Sequence, residues 1–157
     1  MVNATSNLAL PSFQYKVQSS VRGCEIFDIS RRKYVRLTAE EWVRQHLLHY
    51  LIGYLGYPSA LIKTEHAIPG SNRRADLVAY SRAADPLLLV ECKAPGVALS
   101  QSAWQQLMRY NHYFRVPAMV ITNGLKHLCW VWHHCESSFI FSHQIPSFST
   151  LCLRRTF

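Results

Sequence analysis

Apolar residues between positions 38 and 56 recur at helical spacing: Val43, Leu47, Leu48, Leu51, Ile52 and Leu55 share one side of a 3.6-residue period. Thr38 stands at the N-cap position with Glu41 three residues on, the spacing of a capping box, and Gly56-Tyr57-Pro58 closes the segment. Beyond it the pattern shortens to strands separated by turn residues: 60–68, then Pro69-Gly70-Ser71-Asn72, then 73–80, then 81–86, then 87–93. The two short turns predict an antiparallel meander. A second helix is expected from a Ser100 cap to about Phe114, with Ala103, Trp104, Leu107, Met108 and Asn111 as its mostly apolar stripe and Pro117 as its stop. A buried strand over 118–124 and a hairpin of 126–134 with 137–142 follow. Upstream, 13–18 and 24–29 read as short strands, while the tail after Gln144 gives little signal. The order predicts an α/β fold in which helices cover a mixed sheet, with extra strands at both ends. It divides the chain into an amino-terminal extension (1–37), a core (38–142) and a tail (143–157).

The third strand of the meander ends unlike the others. Leu87-Leu88-Leu89-Val90 is apolar enough to lie inside a sheet, yet it runs into Glu91-Cys92-Lys93 and then Ala94-Pro95-Gly96. Two charges at a buried strand end cost free energy unless they are paired or used. Strand alternation puts Glu91 and Lys93 on one face and Cys92 on the other, where it reads as a core residue. Asp76 precedes Glu91 by a spacing that lets the two meet on adjacent strands of a meander. Together they are candidates to share one Mg²⁺, with the Cys92 carbonyl as a further oxygen. Lys93 could orient or help deprotonate the attacking water, or stabilise charge on a phosphate. Gln106 and Tyr110, four apart on the second helix, share a face that can reach this strand end or a nucleic-acid backbone.

Charge points to a polyanionic partner: 17 lysines and arginines against 9 acidic residues give a net charge of +8. Arg73 and Arg74, just before Asp76, are candidates to balance the acidic pair or to grip nucleic acid. Arg109, Lys63, Arg82 and Arg115 are further phosphate-contact candidates, and Arg31, Arg32, Lys33 and Arg36 form a basic cluster. The five scattered cysteines include no Cys-x-x-Cys and read as reduced thiols. His127, Cys129 and His133 share a strand face, but their spacing matches no common zinc module. His46 and His49 read as surface or partly buried histidines. No apolar stretch reaches the length of a membrane span, and the first residues lack the pattern of a secretory signal, so a cytoplasmic location is expected.

Taken in order, Asp76 within RRADLVAY, Glu91-Cys92-Lys93 within LLLVECKAPG and Gln106-x-x-x-Tyr110 within QQLMRY resemble the PD-(D/E)XK nuclease superfamily. They are most similar to the domain at the amino terminus of type I restriction enzyme R subunits and its stand-alone relatives. RLTAEEWVRQHLLHYLI and VPAMVITNG resemble that domain's first helix and fourth strand, so the likeness runs over roughly 33–134. The resemblance implies a restriction-endonuclease-like αβββαβ core and DNA cleavage dependent on Mg²⁺ (or Mn²⁺). It assigns Asp76 and Glu91 to the metal, Lys93 to catalysis, and Gln106 and Tyr110 to positioning Lys93 or DNA. Glu41 is the candidate for the first-helix glutamate that some members add. Ala75 stands where the superfamily motif has proline, a position commonly changed. No G-x-x-x-x-G-K-S/T loop occurs, so the chain is expected to act without a motor of its own. DNA is the expected partner, with a second copy of the chain or a restriction or repair complex as candidate assemblies. The alternative is a catalytically silent DNA-binding or assembly module on the same fold. A nuclease acting on RNA or branched DNA also fits these residues.

Overall fold

A computed structural model describes residues 7–21 and 23–154. Residues 1–6, on which part of the signal-peptide expectation rests, and 155–157 of the tail lie outside the described residues. The extension forms a small antiparallel sheet of β1 (Val17–Ser20), β2 (Gly23–Asp28) and β3 (Lys33–Arg36). The first strand starts later than its alternation predicts. Phe13 and Tyr15 are drawn instead into an aromatic cluster with Trp42, His46 and His49 of the first helix. The basic cluster supplies the third strand, which the pattern did not predict.

Helix α1 (Ala39–Gly53) begins as its cap predicts, with Thr38 Oγ1 accepting the Glu41 N–H at 3.0 Å. A short 3-10 turn (Ser59–Leu61) takes the first residues expected of the next strand. The larger sheet contains β4 (Ile62–Ala67), β5 (Arg74–Tyr80), β6 (Pro86–Cys92), β7 (Ala118–Thr122), β8 (His127–His133) and β9 (Ser138–Ser142), hydrogen-bonded in that order. Every neighbouring pair is antiparallel except β6 and β7, which are parallel and joined through α2 (Gln101–Phe114). From α1 to β7 the order is αβββαβ, on a mixed sheet flanked by helices.

The two helices cover opposite faces. Val43, Leu47, Leu48 and Leu51 of α1 pack with Leu77, Leu88, Val90 and Val120. On the other face Ala103, Leu107, Tyr110 and Phe114 of α2 pack with Val78, Leu89, Met119 and Ile121. A strand covered on both sides has no solvent face, which is why 87–90 is continuously apolar. The buried stripe of α2 differs from the expected one. Met108 is exposed, and Tyr110 and Phe114 take the inward positions. Ser100 occupies the N-cap position, but its hydroxyl pairs with Ser102 Oγ at 2.7 Å instead of capping. The helix ends on Arg115 in a left-handed conformation, ahead of Pro117.

The tail forms a short third helix, α3 (Phe148–Arg154), which the sequence did not signal. It joins the α1-side core through buried Leu151, and Tyr57 donates to the Pro146 carbonyl at 2.8 Å. Between β7 and β8, Gly124 is left-handed (φ +79°), and its carbonyl accepts the Ala9 N–H at 2.7 Å. A Cβ there would meet the Leu8 side chain at 2.8 Å, so the turn requires glycine. All five cysteines are free thiols. No described helix is long and apolar enough to cross a membrane.

Candidate active site

In the β5–β6 ladder Leu77 stands opposite Val90, so one residue further out Asp76 and Glu91 face each other where the ladder ends. Asp76 Oδ2 accepts the backbone N–H of Cys92 at 2.6 Å, which fixes the carboxylate against the neighbouring strand. Glu91 is almost wholly buried, and its Oε1 accepts from Lys93 Nζ at 2.6 Å and from Gln106 Nε2 at 2.6 Å. Gln106 Nε2 also reaches the Tyr110 hydroxyl at 3.0 Å. The strand end and one face of α2 thus converge, and the alternation that puts Cys92 in the opposite core puts Glu91 and Lys93 together. Gln106 and Lys93 thus share one acceptor, Glu91 Oε1.

One oxygen of each carboxylate is used in this way. Glu91 Oε2 is buried and has no hydrogen-bond partner among the described residues. Asp76 Oδ1 has Arg44 Nη1 at 3.7 Å, within ion-pair range but beyond a hydrogen bond. Two carboxyl oxygens on facing residues, one desolvated and unpaired, fit a hard divalent cation, which takes one or two carboxylates and fills its remaining positions with water or phosphate oxygens. Among the described residues no three His, Cys, Asp or Glu side chains converge as a metal set. The cation candidate is therefore a two-carboxylate site.

The electrostatics are those of an acidic pair short of positive charge. Burial and the neighbouring Glu91 charge push the Asp76 carboxyl well above the usual carboxylate range, against the lowering pull of the Cys92 N–H and Arg44. Burial likewise raises Glu91, although Lys93 pulls it down. Burial works to lower Lys93, but the hydrogen bond and charge of Glu91 outweigh it and raise the ammonium pKa. Lys93 is thus held as a cation. That favours stabilising charge over abstracting a proton.

The first helix contributes differently from the expectation. The Glu41 carboxylate does not return to its own N-cap. It accepts from Arg31 (3.2 Å), from Gln45 (2.8 Å) and, in a close ion pair, from Arg44. Arg44 in turn pairs closely with Glu65 and lies beside Asp76. Glu41 therefore reaches Asp76 only through Arg44. The exposed Glu40 on the same helix adds a smaller negative influence that helps raise Asp76, Glu91 and Lys93. Arg44, Glu65 and Glu40 were not singled out from the sequence. Arg44 carried one signal, a positive charge three residues after Glu41 on the same helix. Glu65 carried none, because its place depends on a left-handed residue (φ +52°) inside a strand.

Of the basic candidates, Arg73, Arg74 and Arg109 are exposed. Arg73 immediately precedes β5 and Arg74 begins it, two residues before Asp76, and Arg74 donates to the Glu65 carbonyl at 3.0 Å. Lys63, Arg82 and Arg115 are also exposed, and Lys63 lies over the Tyr80 ring. His127 Nδ1 is bonded to Thr122 Oγ1 at 2.7 Å, and His46 Nδ1 lies 3.1 Å from the Trp42 carbonyl.

The fold resembles that of a chain described as a fragment of an HsdR subunit of a type I restriction enzyme from Vibrio vulnificus YJ016. The TM-score is 0.54 at 19% identity, and the match covers 73% of this chain and 25% of that one. At that identity the likeness is one of fold alone, and this chain spans about a quarter of the other. No curated protein matches it. The family model of the type I restriction enzyme R protein N terminus (HSDR_N) matches residues 39–146, most of the chain, and takes in α1, the whole larger sheet and every residue of the acidic pair's surroundings. The chain therefore belongs to the family of type I restriction enzyme R protein N-terminal domains.

Proposed function

We propose that this domain is a Mg²⁺-dependent DNA endonuclease that hydrolyses phosphodiester bonds at Asp76, Glu91 and Lys93. The observation that carries the reading is two facing carboxylates, each with one oxygen outside the hydrogen bonds that fix it, and a lysine held as a cation beside them. Asp76 Oδ1 and Glu91 Oε2 would hold Mg²⁺ or Mn²⁺, with the Cys92 carbonyl as a further oxygen. The bound ion would supply charge neutralisation at the phosphate and activation of water.

The protein's own residues do the rest. Lys93, tied to Glu91 at 2.6 Å, presents a fixed positive charge where negative charge develops on the phosphate oxygens. Gln106 and Tyr110 hold the Glu91 carboxylate in one orientation, and the Cys92 N–H does the same for Asp76. The surplus of eight positive charges draws the domain to nucleic acid, with exposed Arg73, Arg74 and Arg109 as phosphate contacts near the site.

The test is cleavage of duplex, single-stranded and branched DNA and of RNA by purified protein in Mg²⁺ and in Mn²⁺. Asp76→Asn should abolish cleavage and leave salt-sensitive binding in place. Binding without cleavage by the wild type on every substrate would replace the enzyme with a silent DNA-binding or assembly module.

A further inference from the structure

Glu65 combines two features with no role in the chemistry above. It lies inside β4, yet its φ is +52°, a left-handed conformation that a side-chain-bearing residue adopts in a strand only when its surroundings enforce it. It also breaks the ladder. Thr64 pairs with Leu77 and His66 with Ala75 in one unbroken register, so Glu65 stands opposite Asp76 at the one position between them without a ladder pair. The twist turns the Glu65 carboxylate onto Arg44 Nη1, the same nitrogen that lies 3.7 Å from Asp76 Oδ1. The other end of the guanidinium, Nη2, is taken by Glu41, which Arg31 and Gln45 anchor.

The guanidinium is thus gripped from two sides and stops short of Asp76. Without Glu65, Nη1 would still face Asp76 Oδ1, 3.7 Å away, the oxygen a cation would use. Arginine and a divalent ion compete for the same carboxylate oxygen, and an arginine bonded there would have to be displaced first. We propose that Glu65 is a positioning residue that holds Arg44 off Asp76 Oδ1 and so keeps that oxygen open to the cation. This rests on the metal reading of Asp76 and Glu91. It adds a third carboxylate whose work is done through an arginine.

Titration calorimetry with Mn²⁺ alone, without DNA, tests it. The set is wild type, Asp76→Ala, Glu65→Gln, Glu65→Gly, and Glu65→Gln combined with Arg44→Gln. Glycine suits the left-handed position, so Glu65→Gly keeps the experiment informative if Glu65→Gln folds poorly. Removing the Glu65 carboxylate should weaken Mn²⁺ binding by about 10- to 100-fold, the usual cost of disturbing a residue that orients a metal ligand. Removing Arg44 in the Glu65→Gln background should bring the affinity back to near the wild-type value. If the double variant stays as weak as Glu65→Gln, or if Glu65→Gln and Glu65→Gly both bind like wild type, the role of Glu65 is overturned. Absence of Asp76-dependent Mn²⁺ binding in the wild type would instead remove the metal reading, and this role with it.

Discussion

At the scale of single residues, the site is organised by which oxygens are already occupied. Asp76 and Glu91 each give one oxygen to the protein, to the Cys92 N–H and to the Lys93–Gln106 pair, and keep the other. That arrangement was partly legible in the sequence. Strand alternation placed Glu91 with Lys93, and meander spacing placed Asp76 opposite Glu91. The Arg44–Glu65 contact was not legible, because it joins a helix to a backbone irregularity that no residue type announces. Burial of the two carboxyls has a measurable pH consequence. The Asp76 and Glu91 carboxyls are raised in the folded protein, so between the ordinary carboxylate pKa near 4 and the raised value the native state holds more protons than the unfolded chain. Their contribution to stability is therefore present at low pH and lost as pH rises through that window. In metal chelator, Asp76→Asn should gain stability relative to wild type as pH goes from about 4 toward neutral, measured by urea denaturation at each pH. A difference that stays flat, or that shrinks, contradicts the raised carboxyls.

At the scale of elements, the site exists because three pieces end at one place: the start of β5, the end of β6 and the inward face of α2. The helix and strand periods read from the sequence found all three, since each is long and regularly patterned. What they missed lies partly at an element end, where local hydrogen bonding overrides pattern, and partly within α2, where packing selects the stripe. The Ser100 hydroxyl turns to Ser102, and Tyr110 replaces Met108 on the buried stripe. The amino-terminal sheet is tied to the same place by a charge chain from Asp28 through Arg31 and Glu41 to Arg44. Asp28 is fully buried, and Arg31 is its nearest cation, at 2.6 Å. Arg31→Ala should therefore cost about 1–3 kcal/mol in chemical denaturation, by stranding the Asp28 charge in part. The purely apolar comparison is Leu47→Ala on α1, fully buried in the core, which should cost about 2–5 kcal/mol. An Arg31 variant as stable as wild type would mean that the charge chain is incidental.

At the scale of the whole molecule, the family and the αβββαβ order were both readable. The motif residues sit on separate elements whose sequence order is the order of the fold. The short carboxy-terminal helix was not readable. Its seven residues dock on the α1-side core through Leu151, and the Phe148 N–H bonds to the Leu55 carbonyl just past the end of α1. The net charge of +8 belongs to this scale too. Non-specific DNA affinity should fall steeply between low and moderate salt, and Arg73→Ala with Arg74→Ala should flatten the dependence of log affinity on log salt. An unchanged slope in that double variant would move the DNA contact to another face.

The measurement that bears most directly on the site is DNA cleavage in Mg²⁺ by wild type beside Lys93→Ala, at matched protein fold and DNA occupancy. Metal-dependent cleavage by the wild type should fall by about 10²–10³-fold or more in Lys93→Ala, the scale of losing one fixed charge at the reacting phosphate. Cleavage that persists undiminished in Lys93→Ala would contradict this role of Lys93.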